Sequence, residues 1–360
     1  MAIWHIDNFK GWGTIGSLTD RRNCVTAMLQ GIWTASDRGS SNNYLVVTSD
    51  PQDSNQRCLF LTEGAGNNPY IRIAHPDGPQ TEMGARIRLY IPSLVTDAAQ
   101  KPISFLSAGN STLIYVWFDF IGRANVTVNA VTYTTPAPVI TAGGWYTVEL
   151  RFDQTNFELQ IEGNTVLGPQ AHGLPTPAPA QYSVSSTGDG VTPTEDFYIK
   201  DLVLTDPNGS YNTGWVGTKL IADFDLTADA DLNWTPSTGS TGYNLLQKVG
   251  PDDTTYIAAG TGPLPDPYQA VLDTLPPDAT SVAAVLTRVR AFKSDGGDGS
   301  LQNGLVFDPS GTPTVTNGEN RAITVSPTYW QDVFEEDPTT SGSLTVNAVN
   351  DIHLQINRTT

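Results

Sequence analysis

GWYTVELRFDQTNFELQIEGNTVL, residues Gly144–Leu167, is the stretch whose reading decides the fold. Val148, Leu150 and Phe152 are apolar and alternate with Thr147, Glu149 and Arg151, which are polar. A period of two sends the two sets to opposite faces of an extended strand. Asp153, Gln154, Thr155 and Asn156 then turn the chain, because Asp and Asn tolerate turn backbone and hydrogen-bond to it. Phe157, Leu159 and Ile161 form the next apolar row, with Glu158, Gln160 and Glu162 opposed to them. Glu162-Gly163-Asn164 makes a second tight turn into Thr165–Leu167. The segment reads as an antiparallel meander with one buried face.

The same grammar runs outward in both directions. Short alternating runs are broken by Gly, Pro, Asn, Asp and Ser clusters, and the helical period is almost absent, which predicts an all-β chain. Before residue 210 the strand candidates are Val25–Gln30, Tyr44–Thr48, Cys58–Thr62 and Tyr70–Ala74, then Gly84–Ile91, Leu113–Phe120, Val126–Tyr133 and Phe197–Thr205. Leu113–Phe120 is apolar on both faces, so it is read as a central strand covered on both sides. A set of this size joined by short turns fits a large two-sheet sandwich.

Asp206–Gly214, rich in Pro, Asn and Gly, is the strongest break in the chain and carries the expected domain boundary. It divides a first domain, residues 1–208, from a second, residues 215–360. In the second, Thr218–Leu226, Thr255–Ala259, Ser281–Phe292, Gly304–Phe307, Ala322–Val325, Trp330–Phe334 and Ile352–Ile356 read as strands of a smaller β-sandwich. Asp266–Thr274 is its one predicted short helix.

The 360 residues carry 37 acidic and 19 basic side chains, a net charge of −18, and only six of the basic residues are lysines. From Thr213 onward there are 18 acidic and 7 basic residues against 19 and 12 before it, so the second domain is the denser in negative charge. No basic stripe suited to phosphates is visible, which excludes a nucleic-acid partner. No apolar run approaches the ~20 residues of a membrane helix, and no signal-peptide pattern opens the chain, so neither a membrane partner nor export is expected. Cys24 and Cys58 are read as two buried free thiols, with one disulfide between neighbouring strands as the alternative.

Catalytic patterns are sparse. His5, His75, His172 and His353 lie far apart, no Gly-x-Ser-x-Gly elbow occurs, and no zinc-ligand spacing is present. His172 is read as a solvated loop residue and His353 as a solvent-facing strand residue. Asp295–Gly299 lacks the Lys of a phosphate-binding loop. Glu149 with Arg151, and Glu158 with Glu162, come nearest to the paired carboxylates of a glycosidase, but they are read as a solvated strand face. Asp223 with Asp225, Asp229 with Asp231, and Asp295 with Asp298 are read as turn residues; no cofactor is expected, and a structural calcium is the alternative. Aromatic residues beside Gly, Ser, Asn or Asp are the remaining signal: Trp33, Tyr70, Tyr211, Trp215 and Trp234. A ring can stack on sugar C–H groups while neighbouring amides take the hydroxyls. Trp33 and Trp215 are singled out as glycan-contact candidates.

The first ~205 residues resemble a concanavalin A-like or laminin-G-like jelly roll. The features that carry the likeness are Gly144-Trp145, the Val148–Phe152 and Phe157–Ile161 strands with their Glu162-Gly163 turn, and the closing strand at Phe197–Leu204. In the second half, Asn233–Ser240, Pro251–Ile257 and Trp330–Thr339 resemble segments of tailed-bacteriophage virion proteins, as does the opening Ile3–Phe9. The chain departs from that pattern at Gly342–Thr345, where Leu344 stands in place of a second Trp. The resemblance implies a non-enzymatic structural protein on the outside of a tailed phage particle, made in the host cytoplasm. It would be a homo-oligomeric tail-associated fibre, spike or adhesin, with other virion proteins and host surface polysaccharide as its partners. A capsid decoration or head-fibre protein and a glycan hydrolase of concanavalin A-like fold are the alternatives.

Overall fold

The meander forms as its alternation predicts. Val148 faces Ile161, Leu150 faces Leu159 and Phe152 faces Phe157 across an antiparallel pair, and all six side chains are buried. The computed structural model describes residues 2–37, 45–62, 68–94, 100–186, 196–212, 214–246, 253–260 and 262–360. Tyr44, Thr213 and part of the Pro251–Ile257 segment lie outside them.

The chain divides into two compact units, Met1–Ile221 and Ala222–Thr360. The first is built from β1 (Ala2–Asp7), β2 (Ala35–Asp37), β3 (Leu45–Ser49), β4 (Arg57–Leu61), β5 (Tyr70–Ala74), β6 (Glu82–Tyr90), β7 (Gln100–Leu106) and β8 (Thr112–Phe118). It continues with β9 (Ala124–Val128), β10 (Val131–Thr134), β11 (Trp145–Asp153), β12 (Asn156–Ile161), β13 (Asn164–Ala171), β14 (Gln181–Ser186) and β15 (Phe197–Asp206). One sheet has eight strands in the order β13-β12-β11-β6-β15-β4-β3, with β1 also paired to β15. The other has seven, in the order β10-β9-β8-β7-β14-β5-β2. This is the two-sheet all-β sandwich that the alternation predicts, and its concanavalin A-like architecture is the one that the resemblance implies.

The core lies between the sheets. Ile87, Leu89, Leu150 and Phe152 come from one inner face, and Ile73, Phe105, Val116 and Val184 from the other. Phe105 and Phe152 stack across the gap at 6.5 Å between ring centroids. Buried Tyr182 satisfies its hydroxyl by donating to the Pro102 carbonyl at 2.9 Å, so even this polar atom adds no unmet demand to the core.

Several elements differ from their sequence reading: Thr218–Leu226 is a strand only at Leu226, Val126–Tyr133 is split by a turn into β9 and β10, and two others change type altogether. Val25–Gln30 is not a strand: α1 (Leu18–Met28) runs through its first half and buries Cys24, Val25, Ala27 and Met28. Its start is a capping box, in which the Ser17 hydroxyl accepts from the Asp20 amide while the Asp20 carboxylate accepts from the Ser17 amide. That reciprocal pair satisfies the helix's first orphan amides and outweighs the β preference of Val25 and Thr26. Asp266–Thr274 is not a helix: Asp266–Leu272 is a strand held between Leu226–Leu232 and Ile352–Arg358. Partners on both sides supply ladder bonds that no local periodicity reveals. Cys24 and Cys58 are both buried and free.

The second unit has a six-stranded sheet in which Leu226–Leu232, Asp266–Leu272, Ile352–Arg358, Ser300–Phe307 and Thr314–Asn317 are successive neighbours. Val285–Ala291 and Thr328–Phe334 form a separate two-stranded sheet. Side chains of both sheets share a core, with Tyr268, Leu301 and Ile356 from the larger meeting Val289 and Trp330 from the smaller.

The division between units falls later than residues 206–214, because the segment after Gly214 belongs to the first unit. Glu149 accepts hydrogen bonds from the Val216 and Gly217 amides, both at 2.8 Å. Buried Arg86 donates to the carbonyls of Gly217, Asp201 and Lys219. The Asp206–Gly214 cluster is a turn within the unit rather than its edge.

Candidate functional site

The outward face of β8 is where the structure departs most usefully from expectation. Ile114, Val116 and Phe118 point inward and are buried, whereas Tyr115 and Trp117 point outward and are only half-buried. An apolar outer row suggested a covered strand; among the described residues these two rings instead stay partly open to solvent.

Strand register sets what stands beside them. Across the seven-stranded sheet, Arg72 faces Ser183, Ser183 faces Ser104, and Ser104 faces Tyr115. The next row on the same face runs from Asp37 through Tyr70 and Ser185 to Lys101. All of these but Tyr115 line a shallow cavity of about 260 Å³, which Leu106 and Thr112 help to close. Three serines leave room at the centre, and the larger residues stand around them.

The larger groups hold one another in place. The Arg72 guanidinium lies over the Tyr70 ring at 4.2 Å and donates to the Asn110 side-chain oxygen at 3.2 Å. The Lys101 ammonium lies over the Tyr115 ring at 4.8 Å. Both are cation–π contacts, and each fixes a flexible cation beside a flat apolar surface. Trp117 is oriented by donating its Nε1–H to the Thr127 hydroxyl at 3.1 Å. The Ser183 hydroxyl donates to the Ile71 carbonyl at 3.3 Å. Ser104 is 3% exposed, and its Oγ has no hydrogen-bond partner among the described residues; neither has the buried Nε of Arg72. A buried hydroxyl and a buried guanidinium N–H that are left unpaired each cost free energy.

This arrangement can stack and it can donate. Among the described residues Asp37 is the one carboxylate that lines the cavity. Among the described residues no cluster of three or more His, Cys, Asp or Glu side chains could hold a metal ion. No described helix is long and apolar enough to cross a membrane.

The residues singled out from sequence are scattered. Trp33 is 2% exposed, edge-on to the His5 ring at 5.6 Å, and therefore a core residue that cannot offer a ring to a sugar. Its neighbourhood of Gly and Ser does not keep it at the surface, because Phe9 and His5 close over it. Trp234 is also buried and donates its Nε1–H to the Asp266 carbonyl. Trp215 is half-buried against the Arg151 guanidinium at 4.3 Å, on the eight-stranded sheet and away from the cavity. Of the five aromatics only Tyr70 lines the cavity.

Glu149 is not on a solvated face. It is 3% exposed with both carboxylate oxygens taken by amides, and burial pushes its carboxyl above the ordinary range against the opposing pull of those amides. Glu158 accepts from the Thr165 hydroxyl at 2.7 Å. His172 likewise is not solvated: 6% exposed, it donates its Nε2–H to the Asp153 carbonyl, accepts from the Leu174 amide at Nδ1 and packs on Phe152.

No family model matches the chain, and no curated protein matches it. Solved structures similar to it include a cellulose-induced protein, Cip1, at 10% identity and a TM-score of 0.41, covering 52% of this chain and 94% of that one. The alginate lyase AlgAT5 of polysaccharide lyase family 7 is also 10% identical, with a TM-score of 0.36 over 49% of this chain and 94% of that one. A sialidase at 13% identity gives a TM-score of 0.37, and only 19% of its length is spanned. The likeness is one of fold alone.

Proposed function

We propose that this chain is a non-catalytic component of the outside of a tailed phage particle, a tail-associated fibre, spike or adhesin. In this reading it touches host-surface glycan through the outer face of the seven-stranded sheet. The observation that carries the glycan contact is the cavity, where Tyr70 stands beside Ser104, Ser183 and Ser185, with Tyr115 outside the lining on the strand next to Ser104. Flat rings next to small hydroxyls suit the alternating apolar and polar faces of a sugar. The engagement of Glu149 by two amides supports binding without hydrolysis. The virion assignment is supported by the Ile3–Phe9, Asn233–Ser240 and Trp330–Thr339 segments. Weak single contacts would gain strength from many copies on one particle.

Two measurements test this. Antibody to the protein is expected to label tails of intact particles; labelling of heads with bare tails would instead favour the decoration reading. On an array of host surface polysaccharides the protein is expected to bind without releasing reducing sugar. Tyr70→Ala should weaken that binding by roughly tenfold or more, since a ring stacked on a ligand contributes on the order of 1 kcal/mol beyond its buried area. A blank array would remove the glycan role.

A further inference from the structure

We infer that β10, an edge strand of the seven-stranded sheet, pairs antiparallel with β10 of a second copy of this chain, about a two-fold axis beside Tyr133. The inference is independent of the glycan reading.

The backbone of β10 is half spent. Asn129 and Ala130, with φ of 46° and 64°, make a two-residue turn between β9 and β10. A turn of this length makes Val128 and Val131 the first hydrogen-bonded pair, and an antiparallel ladder alternates from there. Val131 and Tyr133 therefore give their backbone groups to β9, and the Thr135 amide continues that set by donating to the Ala124 carbonyl at 2.9 Å. The alternation turns the amides and carbonyls of Thr132 and Thr134 outward. Among the described residues β9 is the one strand paired with β10. Thr132 and Thr134 are exposed, and Val131 is 51% exposed. The threonine side chains are already fixed: the Thr132 hydroxyl lies 2.9 Å from that of Thr127, and Thr134 donates to the Asn125 side-chain oxygen at 2.6 Å. An ordered edge with backbone groups facing outward is a template for another strand.

Proteins ordinarily blunt such edges, and the strand beside this one is blunted. Tyr133 packs on Phe157 at 5.1 Å and donates to the Ala171 carbonyl, so β10 lies next to β13, the edge strand of the other sheet. β13 carries Pro169, which has no amide to give, and its register against β12 shifts along its length. β10 has no proline, no charge and an unbroken register.

Charge selects the occupant. From Pro102 to Val148 the charged side chains are Asp119 and Arg123 alone, and they offset each other in an ion pair at 2.7 Å. Strands β8, β9 and β10 thus form a neutral border on a chain of net charge −18. Copies with that charge repel one another and can meet closely only across such a border, which in turn offers nothing to a charged partner. The edge is also its own complement. Around an axis beside Tyr133, Thr132 of each copy stands opposite Thr134 of the other and exchanges both backbone hydrogen bonds with it. Such a contact is isologous and closes at a dimer, with Val131 covered and neither β10 left open. The contact is small, which places it among weak associations.

The test is sedimentation of the full-length chain from micromolar to millimolar concentration, where a monomer–dimer equilibrium is expected. It should strengthen as salt rises, because screening weakens the repulsion between the copies. Residue-resolved hydrogen exchange on the parent chain reads the edge itself: raising the concentration should slow the Thr132 and Thr134 amides several-fold and leave those of Val131 and Tyr133 as they are. Thr132→Pro deletes an outward amide that β9 does not use, and should weaken the dimer about tenfold with an unchanged thermal melt. Should that variant melt early, Thr132→Glu, which sets a carboxylate of each copy near the axis, replaces it with the same expectation. A monomer at every concentration overturns the self-pairing. Association that leaves the Thr132 and Thr134 amides unchanged, or that weakens as salt rises, places the contact elsewhere and overturns it equally.

Discussion

Glu149 shows what a single buried carboxylate does in this protein. Its alternation with Val148 and Leu150 says only that it points away from the core, and a surface position would be the ordinary consequence. Instead the chain folds back, and the Val216 and Gly217 amides close on its two oxygens. Replacing Glu149 with Ala strands those amides, along with the nearby Arg86 charge, and should cost about 1–3 kcal/mol in chemical denaturation for each buried group left unpaired. Hydrogen exchange at residues 216–217 should accelerate in the same variant; unchanged protection there would show that the carboxylate does not hold the segment. The cysteines make a second case. Burial pushes the Cys24 thiol up to about 11, and raises Cys58 further still. Since the thiolate is the reactive form, iodoacetamide at neutral pH should modify neither until the protein is unfolded. Rapid labelling of the native chain would contradict their burial.

At the scale of elements, polar clamps join strands to the loops around them. Asp50, just beyond β3, accepts from the Gln52 amide, from Trp145 Nε1 on β11 and from Lys200 on β15. Burial alone would raise its carboxyl, but those hydrogen bonds and the Lys200 charge outweigh it and hold it below the usual range. A depressed carboxyl contributes stability above its unfolded value and loses it as pH falls through its folded one. Urea midpoints should therefore drop on acidification below the ordinary carboxylate range, and Asp50→Asn should lower the neutral-pH midpoint while flattening that acid limb. An unaltered limb would leave Asp50 without a part in it. The sheets themselves depend on apolar contact, and Phe105→Ala should cost about 3–5 kcal/mol because Phe152 loses its stacked partner and a cavity remains. β8 is legible in sequence down to which residues face the core. Its outer face is not, because Tyr115 and Trp117 read as a second buried row until Lys101, Ser104 and Thr127 are known to stand beside them. The α1 helix was also within reach, since the Ser17–Asp20 box precedes a helix of good length, but Val25 and Thr26 speak for a strand when read alone.

Over the whole molecule, each unit has its own core, and the first extends to Ile221. A chain ending at residue 221 should fold with a cooperative melt, whereas one ending at residue 208 lacks the segment that satisfies Glu149 and Arg86 and should melt at least several degrees lower. Matching melts would return the boundary to the Asp206–Gly214 cluster. The acidity of −18 keeps its bearing on partners, since a net charge of this sign repels a polyanion. Sequence by itself determined the all-β class, the buried and exposed faces of the Gly144–Leu167 meander and the two-unit order of the chain, because side-chain alternation is a local property that survives without knowledge of partners. Only the tertiary structure decided that Trp33 is core, that Tyr70 is not, and that Arg72, Lys101 and three serines share one face. Those residues come from three strands far apart in the chain, and Ser183 bonds the Ile71 carbonyl across 112 positions. Which strands become neighbours depends on how two whole sheets close over one core, and no local pattern carries that information.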